Sequence, residues 1–335
     1  MRRFLDLADL SAERREAVLA RAAQLERAPV RDALSGRVVG LVFMNPSVRT
    51  LASMQAGVAQ LGGSTFVVTP GQGSWKLEHR DGVVMDGDAA EHVREAIPVL
   101  GSYADLLGVR SFAEGRSLDD DLADVTMRKM ADLSPVPFVN LESAIAHPCQ
   151  ALADWKTLDD LEVPRRGGRL VLSWAYHPKP LPLAVAASTL TMAAMRGMTV
   201  TVLRPDGFEL PAPVMERAKR FAAEAGGVVR ETGDRAAAMD GAHVLYAKSW
   251  ASPAHYGRPE DAALRARHRD WCVDEPWFRP AVRDARFLHC LPVRRNVKVT
   301  DAVLDGPRSA VIAQAGNRLH AQKALLIEML TEGHP

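Results

Sequence analysis

Short apolar runs and longer amphipathic stretches take turns along most of this chain. Apolar runs at 37–44, 65–69, 105–110, 136–140, 169–174, 198–204, 228–231, 243–248 and 287–291 read as strands. They are near-continuous and not alternating, the pattern of strands covered on both faces. Helical patterns lie between most of them, at about 11–27, 48–61, 89–102, 148–161, 181–196, 211–225 and 315–332. Strand alternating with helix predicts an α/β protein with parallel sheets and helices on both faces. The polar segment EVPRRGG at 162–168 follows a long helical pattern and precedes a fresh strand, dividing the chain almost in half. The expectation is two doubly wound parallel-sheet domains, 1–147 and 148–314, with the last helix, in 315–335, returning to the first.

Composition narrows the function. A chain of 335 residues is long for one core and suits two domains. A formal net charge of +1 gives no electrostatic reason to expect a nucleic-acid or membrane partner. Three cysteines, Cys149, Cys272 and Cys290, do not make a disulfide framework and point to a reducing compartment. The N-terminal stretch is charged throughout, without the apolar core of a signal peptide, and no run approaches the ~20 apolar residues of a membrane span. The expectation is a soluble, cytoplasmic protein.

In open parallel sheets ligands sit beyond the carboxyl ends of strands, so residues just after strands carry the chemistry. The first such joint reads MNPSVRTLASMQAGVAQLGG, residues 44–63. Leu51, Met54, Val58 and Leu61 form a helical stripe, which Gly62 and Gly63 stop. Ser47 falls at the N-cap. The free amides of the first turn and the helix dipole, with Ser47, Arg49 and Thr50, would make an anion pocket. By pattern alone, a capped helix with a surface arginine fits as well. Other strand ends add to it: Arg110 in GVRSF, HPCQ at 147–150, HCLPVRR at 289–295, and Arg318 in GNRLH near the start of the last helix. Singly, each suits a surface or core role; together they favour a small anionic substrate and phosphate chemistry. There is no G-x-x-x-x-G-K-[ST] loop, and no G-x-G-x-x-G follows the first strand, which argues against nucleotide binding. His147 and Cys149 have no partner pair at metal-ligand spacing, so no metal is expected.

S-V-R-T after the first strand, H-P-C-Q at mid-chain and H-C-L-P-V-R-R near the end, in that order and spacing, resemble the aspartate/ornithine carbamoyltransferase family over essentially the whole chain. The S-M-G signature of ornithine enzymes is absent, while GSWKLE, LES, YHPKPLP, YAKSW and RRNVK resemble the N-acylornithine carbamoyltransferases. The resemblance implies transfer of a carbamoyl group from carbamoyl phosphate to the δ-amine of an N-acylornithine in arginine biosynthesis, without a cofactor. It also implies a homotrimer and a second domain knotted around the loop at 175–184. By resemblance, Ser47, Val48, Arg49, Thr50 and Arg318 hold the phosphate, and Trp75 covers it from a neighbouring subunit. Arg110, His147 and Gln150 hold the carbamoyl group, with Pro148 and Cys149 in the same motif; Cys149 itself reads as a small buried residue. Cys290 and Leu291 contact both substrates through backbone groups. Glu142, Lys248, Leu291, Ala90 and Lys298 fall at positions that hold the acylornithine. His177 and His79 are set aside as incidental.

Two departures stand out. The family pattern S-x-R-T-R-x-S-F-E reads S-V-R-T-L-A-S-M-Q, with Leu51 for the second arginine and Gln55 for the glutamate. MDGDAAEH at 85–92 has Ala90 where acetyl-type members resemble a glutamate. A carboxylate there would repel the free carboxylate of a succinyl tail, so Ala90 favours N-succinylornithine; Lys298 in RRNVKVTD instead matches the acetyl type, in which that lysine can carry a CO2 adduct. The alternatives are N-acetylornithine, plain ornithine or another amine, and a non-catalytic binding paralogue.

Overall fold

The computed structural model describes residues 1–331, so the last position of the helix read at 315–332 and the rest of the tail lie outside the described residues. Two compact units emerge. The first contains 1–113, 120–152 and the chain from Arg318 on; the second contains 114–119 and 153–317.

Unit 1 holds β1 (Arg3–Phe4), β2 (Val38–Phe43), β3 (Ser64–Val68), β4 (Lys76–Glu78), β5 (Ala89–His92), β6 (Leu106–Arg110) and β7 (Phe138–Glu142). Five of these form one sheet in the order β1-β7-β6-β2-β3, parallel throughout; β4 and β5 make a separate parallel ribbon. Unit 2 holds β8 (Arg169–Trp174), β9 (Thr199–Leu203), β10 (Val228–Thr232), β11 (Val244–Lys248) and β12 (Arg286–Leu288), a parallel sheet in the order β10-β9-β8-β11-β12. The helices are α1 (Ala12–Arg27), α2 (Val48–Gln60), α3 (Val93–Ser102), α4 (Leu118–Ala123), α5 (Val125–Leu133), α6 (Pro148–Asp160), α7 (Ala184–Met195), α8 (Ala212–Ala225), α9 (Arg235–Met239), α10 (Glu260–Ala266), α11 (Asp301–Leu304) and α12 (Val311–Leu330).

The strand orders mark where sheets of this kind receive ligands. In unit 1 the chain winds from β2 to β3 on one side and places β6 on the other. In unit 2 it winds from β8 to β9 and β10, and places β11 on the other side. The switch points are therefore β2/β6 and β8/β11, where such sheets open a crevice at their carboxyl ends. Burial explains why the runs are continuous: all five residues of β6 and of β7 are buried. Val42, Val109, Phe138, Ile97 and Met127 join one core in unit 1. Helix α7 is buried at every position from Ala184 to Ala194 and carries small and apolar residues all round, as a fully internal helix should.

Several expected boundaries move. The segment 89–102 is not one helix: Ala89–His92 pairs with β4, and the helix starts after His92, whose Nδ1 accepts the Arg94 amide at 3.1 Å. Pairing with a distant strand leaves no trace in local periodicity. The helix expected from 181 starts at Ala184, since a residue before a proline is disfavoured in helical conformation and Leu181 precedes Pro182. The strand expected at 287–291 ends at Leu288, and Leu291 lies at φ 54°, outside the strand region. The last helix begins at Val311. The short strands β1 and β4 and helices α4, α5, α9, α10 and α11 are not legible as patterns. Among the described residues, no helix is long and apolar enough to cross a membrane.

Candidate active site

Strand β2 delivers the chain to Ser47, which caps α2: its Oγ accepts the Thr50 amide at 3.2 Å. Met54, Val58 and Leu61 bury the helix's core face, and Gly62 supplies the left-handed turn that ends it, at φ 83°. Leu51 is only half-buried and contributes less than the stripe suggests. The joint is fastened sideways to β6: the Met44 amide donates to the Arg110 carbonyl at 2.9 Å, and the Phe112 amide donates to Asn45 Oδ1 at 2.7 Å. Val48 is 82% exposed, so the start of the helix is open.

Arg110, at the end of β6, donates through Nη1 to Glu142 Oε2, at the end of β7, and its guanidinium lies 4.3 Å over the Phe112 ring. His147 Nε2 is 3.3 Å from the same Glu142 oxygen. On α12, Arg318 donates to Thr50 Oγ1 at 2.9 Å and faces Gln150 Oε1 and His147 Nε2, each at 3.4 Å. Thr50, Arg110, Glu142, His147, Gln150 and Arg318 are all buried. Unit 1 thus gathers residues from five separate segments beside one helix N-terminus. Burial draws the Arg318 guanidinium below its ordinary value, Glu142 opposes this, and Arg110 and Arg49 add to it. Two guanidiniums bearing on a buried third are an arrangement that an anion relieves. Cys149 is buried with its Sγ 3.8 Å from the Asn140 carbonyl, and burial pushes its thiol up to about 12, which suits packing and not nucleophilic chemistry.

In unit 2 the cationic residues gather at the β8/β11 switch point. Lys248 ends β11, with Nζ 3.6 Å from Cys290 Sγ. Lys298 is 1% exposed; burial, then the neighbouring Lys248 charge, brings its ammonium down to about 7. His177, expected to be incidental, belongs to this group: Arg294 Nε donates to its Nε2 at 3.1 Å. Burial, with Lys298, Arg294 and Lys248 adding to it, takes the ring down to about 4 and keeps it neutral. The adjacent arginines of HCLPVRR divide their work. Arg294 turns to His177, whereas Arg295 is engaged in surface pairs with Asp301 and Asp305, each at 2.7 Å. The sequence signal for His177 is its place just after β8, a strand beside the switch point.

Glu142 lies in unit 1 with Arg110 and His147, whereas Lys248, Leu291 and Lys298 lie in unit 2. Trp75 and Ala90 sit on the β4–β5 ribbon. Trp75 is 59% exposed and donates to Glu91 Oε2 at 2.7 Å; Lys76 pairs with Asp88 at 2.8 Å. Lys76 pairs with Ala89 and Leu77 with Glu91, so Ala90 is the extra residue of a β-bulge, and it is exposed. Among the described residues, no group of three or more His, Cys, Asp or Glu could hold a metal ion.

The chain matches two family descriptions: "Aspartate/ornithine carbamoyltransferase, carbamoyl-P binding domain" over residues 2–160, and "Aspartate/ornithine carbamoyltransferase, Asp/Orn binding domain" over residues 183–329. It is 41% identical to the N-acetylornithine carbamoyltransferase of Xanthomonas campestris pv. campestris, covering 100% of this chain and 99% of that one. It is 36% identical to the N-succinylornithine carbamoyltransferase of Bacteroides thetaiotaomicron, over 88% of this chain and 87% of that one. Its fold matches, with a TM-score of 0.94 and 41% identity over 98% of this chain and 100% of the other, a crystal structure of a glutamate-to-alanine variant of N-acetyl-L-ornithine transcarbamylase complexed with carbamyl phosphate and N-succinyl-L-norvaline. The chain belongs to the aspartate/ornithine carbamoyltransferase family, in its N-acylornithine subfamily.

Proposed function

We propose that this enzyme transfers the carbamoyl group of carbamoyl phosphate to the δ-amine of N-succinylornithine, giving N-succinylcitrulline and phosphate. The observation that carries carbamoyl transfer is the buried set Thr50, Arg110, His147, Gln150 and Arg318 beside the open N-terminus of α2. The α2 amides, Ser47, Arg49, Thr50 and Arg318 hold the phosphate. Arg110 and His147 donate to the carbamoyl oxygen. The amine attacks the carbonyl carbon, a C–N bond forms, and the oxygen gains charge that fixed donors stabilise more than in the ground state. The C–O bond to phosphate then breaks and phosphate leaves with the electron pair. The attacking amine gives up one proton, which the departing phosphate takes, and no enzyme nucleophile is required. In unit 2, Lys248 supplies positive charge for the carboxylates of an acyl-amino acid, and Lys298, brought down to about 7 in the free enzyme, takes up its proton when a carboxylate comes beside it.

Ala90 supports the succinyl reading. It sits at a bulge, a device that re-aims a side chain, and brings no charge. Its acidic neighbours are engaged, Glu91 by Trp75 and Asp88 by Lys76. An acetyl-type relative in which a glutamate is replaced by alanine takes an N-succinyl ligand. N-acetylornithine is the second reading, favoured by the higher identity to acetyl enzymes. The exposed Trp75 suits a homotrimer in which it covers a neighbour's phosphate site. The test is carbamoyl transfer to N-succinylornithine, N-acetylornithine and ornithine in parallel. Preference for the succinyl compound, reversed in Ala90→Glu, is expected. Equal or better turnover of the acetyl compound by the wild type removes the charge argument at Ala90.

A further inference from the structure

A buried chain of polar groups in unit 2 ends on the Cys290–Leu291 turn, whose backbone the family resemblance places against both substrates. It starts at Asp154 on α6. Gln314 on α12 donates from Nε2 to Asp154 Oδ1 at 2.7 Å, and its Oε1 accepts the His289 amide at 3.0 Å. The His289 ring closes the chain, its Nδ1 accepting the Leu291 amide at 2.8 Å. Asp154 and Gln314 are 0% exposed and His289 1%. Tyr246 on β11 is buried beside them; burial first, then the Asp154 charge, hold its phenol well above the ordinary value, so it stays neutral.

Each link fixes the next. A carboxylate only accepts, so Asp154 holds the NH2 end of Gln314 toward itself and leaves the oxygen end to face His289. An imidazole nitrogen that accepts carries no proton, so the His289 proton sits on Nε2 and the ring is neutral. Leu291 needs holding, since a leucine at φ 54° is in a sparsely populated region. With its amide occupied by His289, Leu291 has only its carbonyl oxygen left among its backbone groups, an acceptor of the kind that the N–H groups of a carbamoyl group or an amine require.

We propose that Asp154, Gln314 and His289 are positioning residues that set the Cys290–Leu291 turn for carbamoyl transfer. The proposal rests on the carbamoyltransferase reading and adds three residues to it. In Gln314→Glu a carboxyl oxygen replaces the donor opposite Asp154. The pair then repels or must capture a proton, and the turn shifts. Adding Asp154→Asn restores one donor and one acceptor with the direction of that link reversed, and an oxygen still accepts the His289 amide.

The experiment measures steady-state transfer and thermal unfolding for the full-length wild type, Gln314→Glu, the double variant Asp154→Asn/Gln314→Glu, His289→Leu and His289→Asn. Leucine and asparagine have similar shapes, but only asparagine can place an acceptor where Nδ1 lies. A lost buried partner predicts that Gln314→Glu and His289→Leu drop kcat by about 10–100-fold, with the KM for carbamoyl phosphate within about twofold of the wild type. The double variant and His289→Asn recover most of the loss. If either compensated variant is as slow as its single counterpart, or if the losses simply follow the unfolding midpoint, the proposal fails. If Gln314→Glu does not fold, the leucine–asparagine pair decides alone. Wild-type protein inactive on every acylornithine overturns the reading beneath it, a result distinct from an active wild type with indifferent variants.

Discussion

Replacing Arg318 by methionine separates anion recognition from folding. Arg318 sits over the N-terminus of α2, 2.9 Å from Thr50 Oγ1, with Arg110 and Arg49 acting on it through space. A hydrogen bond to a charged group contributes ~1.5–3 kcal/mol, so losing one phosphate contact weakens the anion about 10–150-fold. At a phosphate concentration 100 times the wild-type Kd, bound anion stabilises the wild type by ~2.7 kcal/mol, and the variant by only ~1.4 to 0.3 kcal/mol. The ligand-free stability moves in two opposing directions. Thr50 and Gln150 lose a donor, but a buried cation that feels two others is gone. The assay is urea unfolding with and without inorganic phosphate, repeated with carbamoyl phosphate by rapid thermal shift. The quantity compared is the increment from ligand, which cancels the unliganded change. An increment in Arg318→Met equal to that of the wild type would remove Arg318 from the phosphate site.

Two further results follow from the same geometry. Ser47→Ala loses the α2 cap and about 1 kcal/mol of unfolding free energy, whereas Ser47→Asp keeps the cap and weakens phosphate binding through its charge; chemical denaturation with phosphate titration distinguishes them, and equal phosphate affinity in Ser47→Asp and wild type speaks against the anion pocket. Lys298 titrates at about 7 in the folded state against 10.5 ordinarily, so between those pH values the unfolded chain holds a proton that the folded one does not. Stability from this residue therefore rises with pH from 7 to 10.5, and Lys298→Met flattens the rise; parallel slopes for the two proteins in urea unfolding from about pH 6.5 to 10 would show that Lys298 is protonated in place.

The inner strands of both five-stranded sheets are legible in the sequence because parallel strands buried on both faces, such as β6 and β7, must be apolar along their whole length, whereas the two-residue edge strand β1 leaves no pattern; the β2–α2 joint is legible because a cap, a core stripe and a glycine stop are all local. The grouping of the site is not. Arg318 meets Thr50 across 268 positions, a contact between helices α12 and α2, and Glu142 meets Arg110 across 32, a contact between the ends of paired strands; neither is set by spacing along the chain. His177 escapes a sequence reading because a histidine in a proline-rich loop has no periodicity to interpret; its meaning comes from the adjacency of β8 and β11. Arg294 and Arg295 show the opposite limit. Two identical neighbours in one motif point to different partners, and only the backbone path decides which faces His177. The β4–β5 ribbon, with its bulge at Ala90, is hidden because short exposed strands carry no apolar run.

The pairing of β1 with β7 reaches beyond the fold. Arg3 and Phe4 lie alongside Phe138 and Val139, and the Asn140 side chain, two residues before Glu142, donates to the Leu5 carbonyl at 2.9 Å. The first few residues of the chain thus shield the outer edge of the strand that carries Glu142. Trimming them would bare β7 as an open template for intermolecular pairing. For anyone preparing this enzyme, purification handles belong elsewhere than on a shortened amino terminus, and clumping after such a trim would report the uncovered strand and not a fault in the catalytic groups.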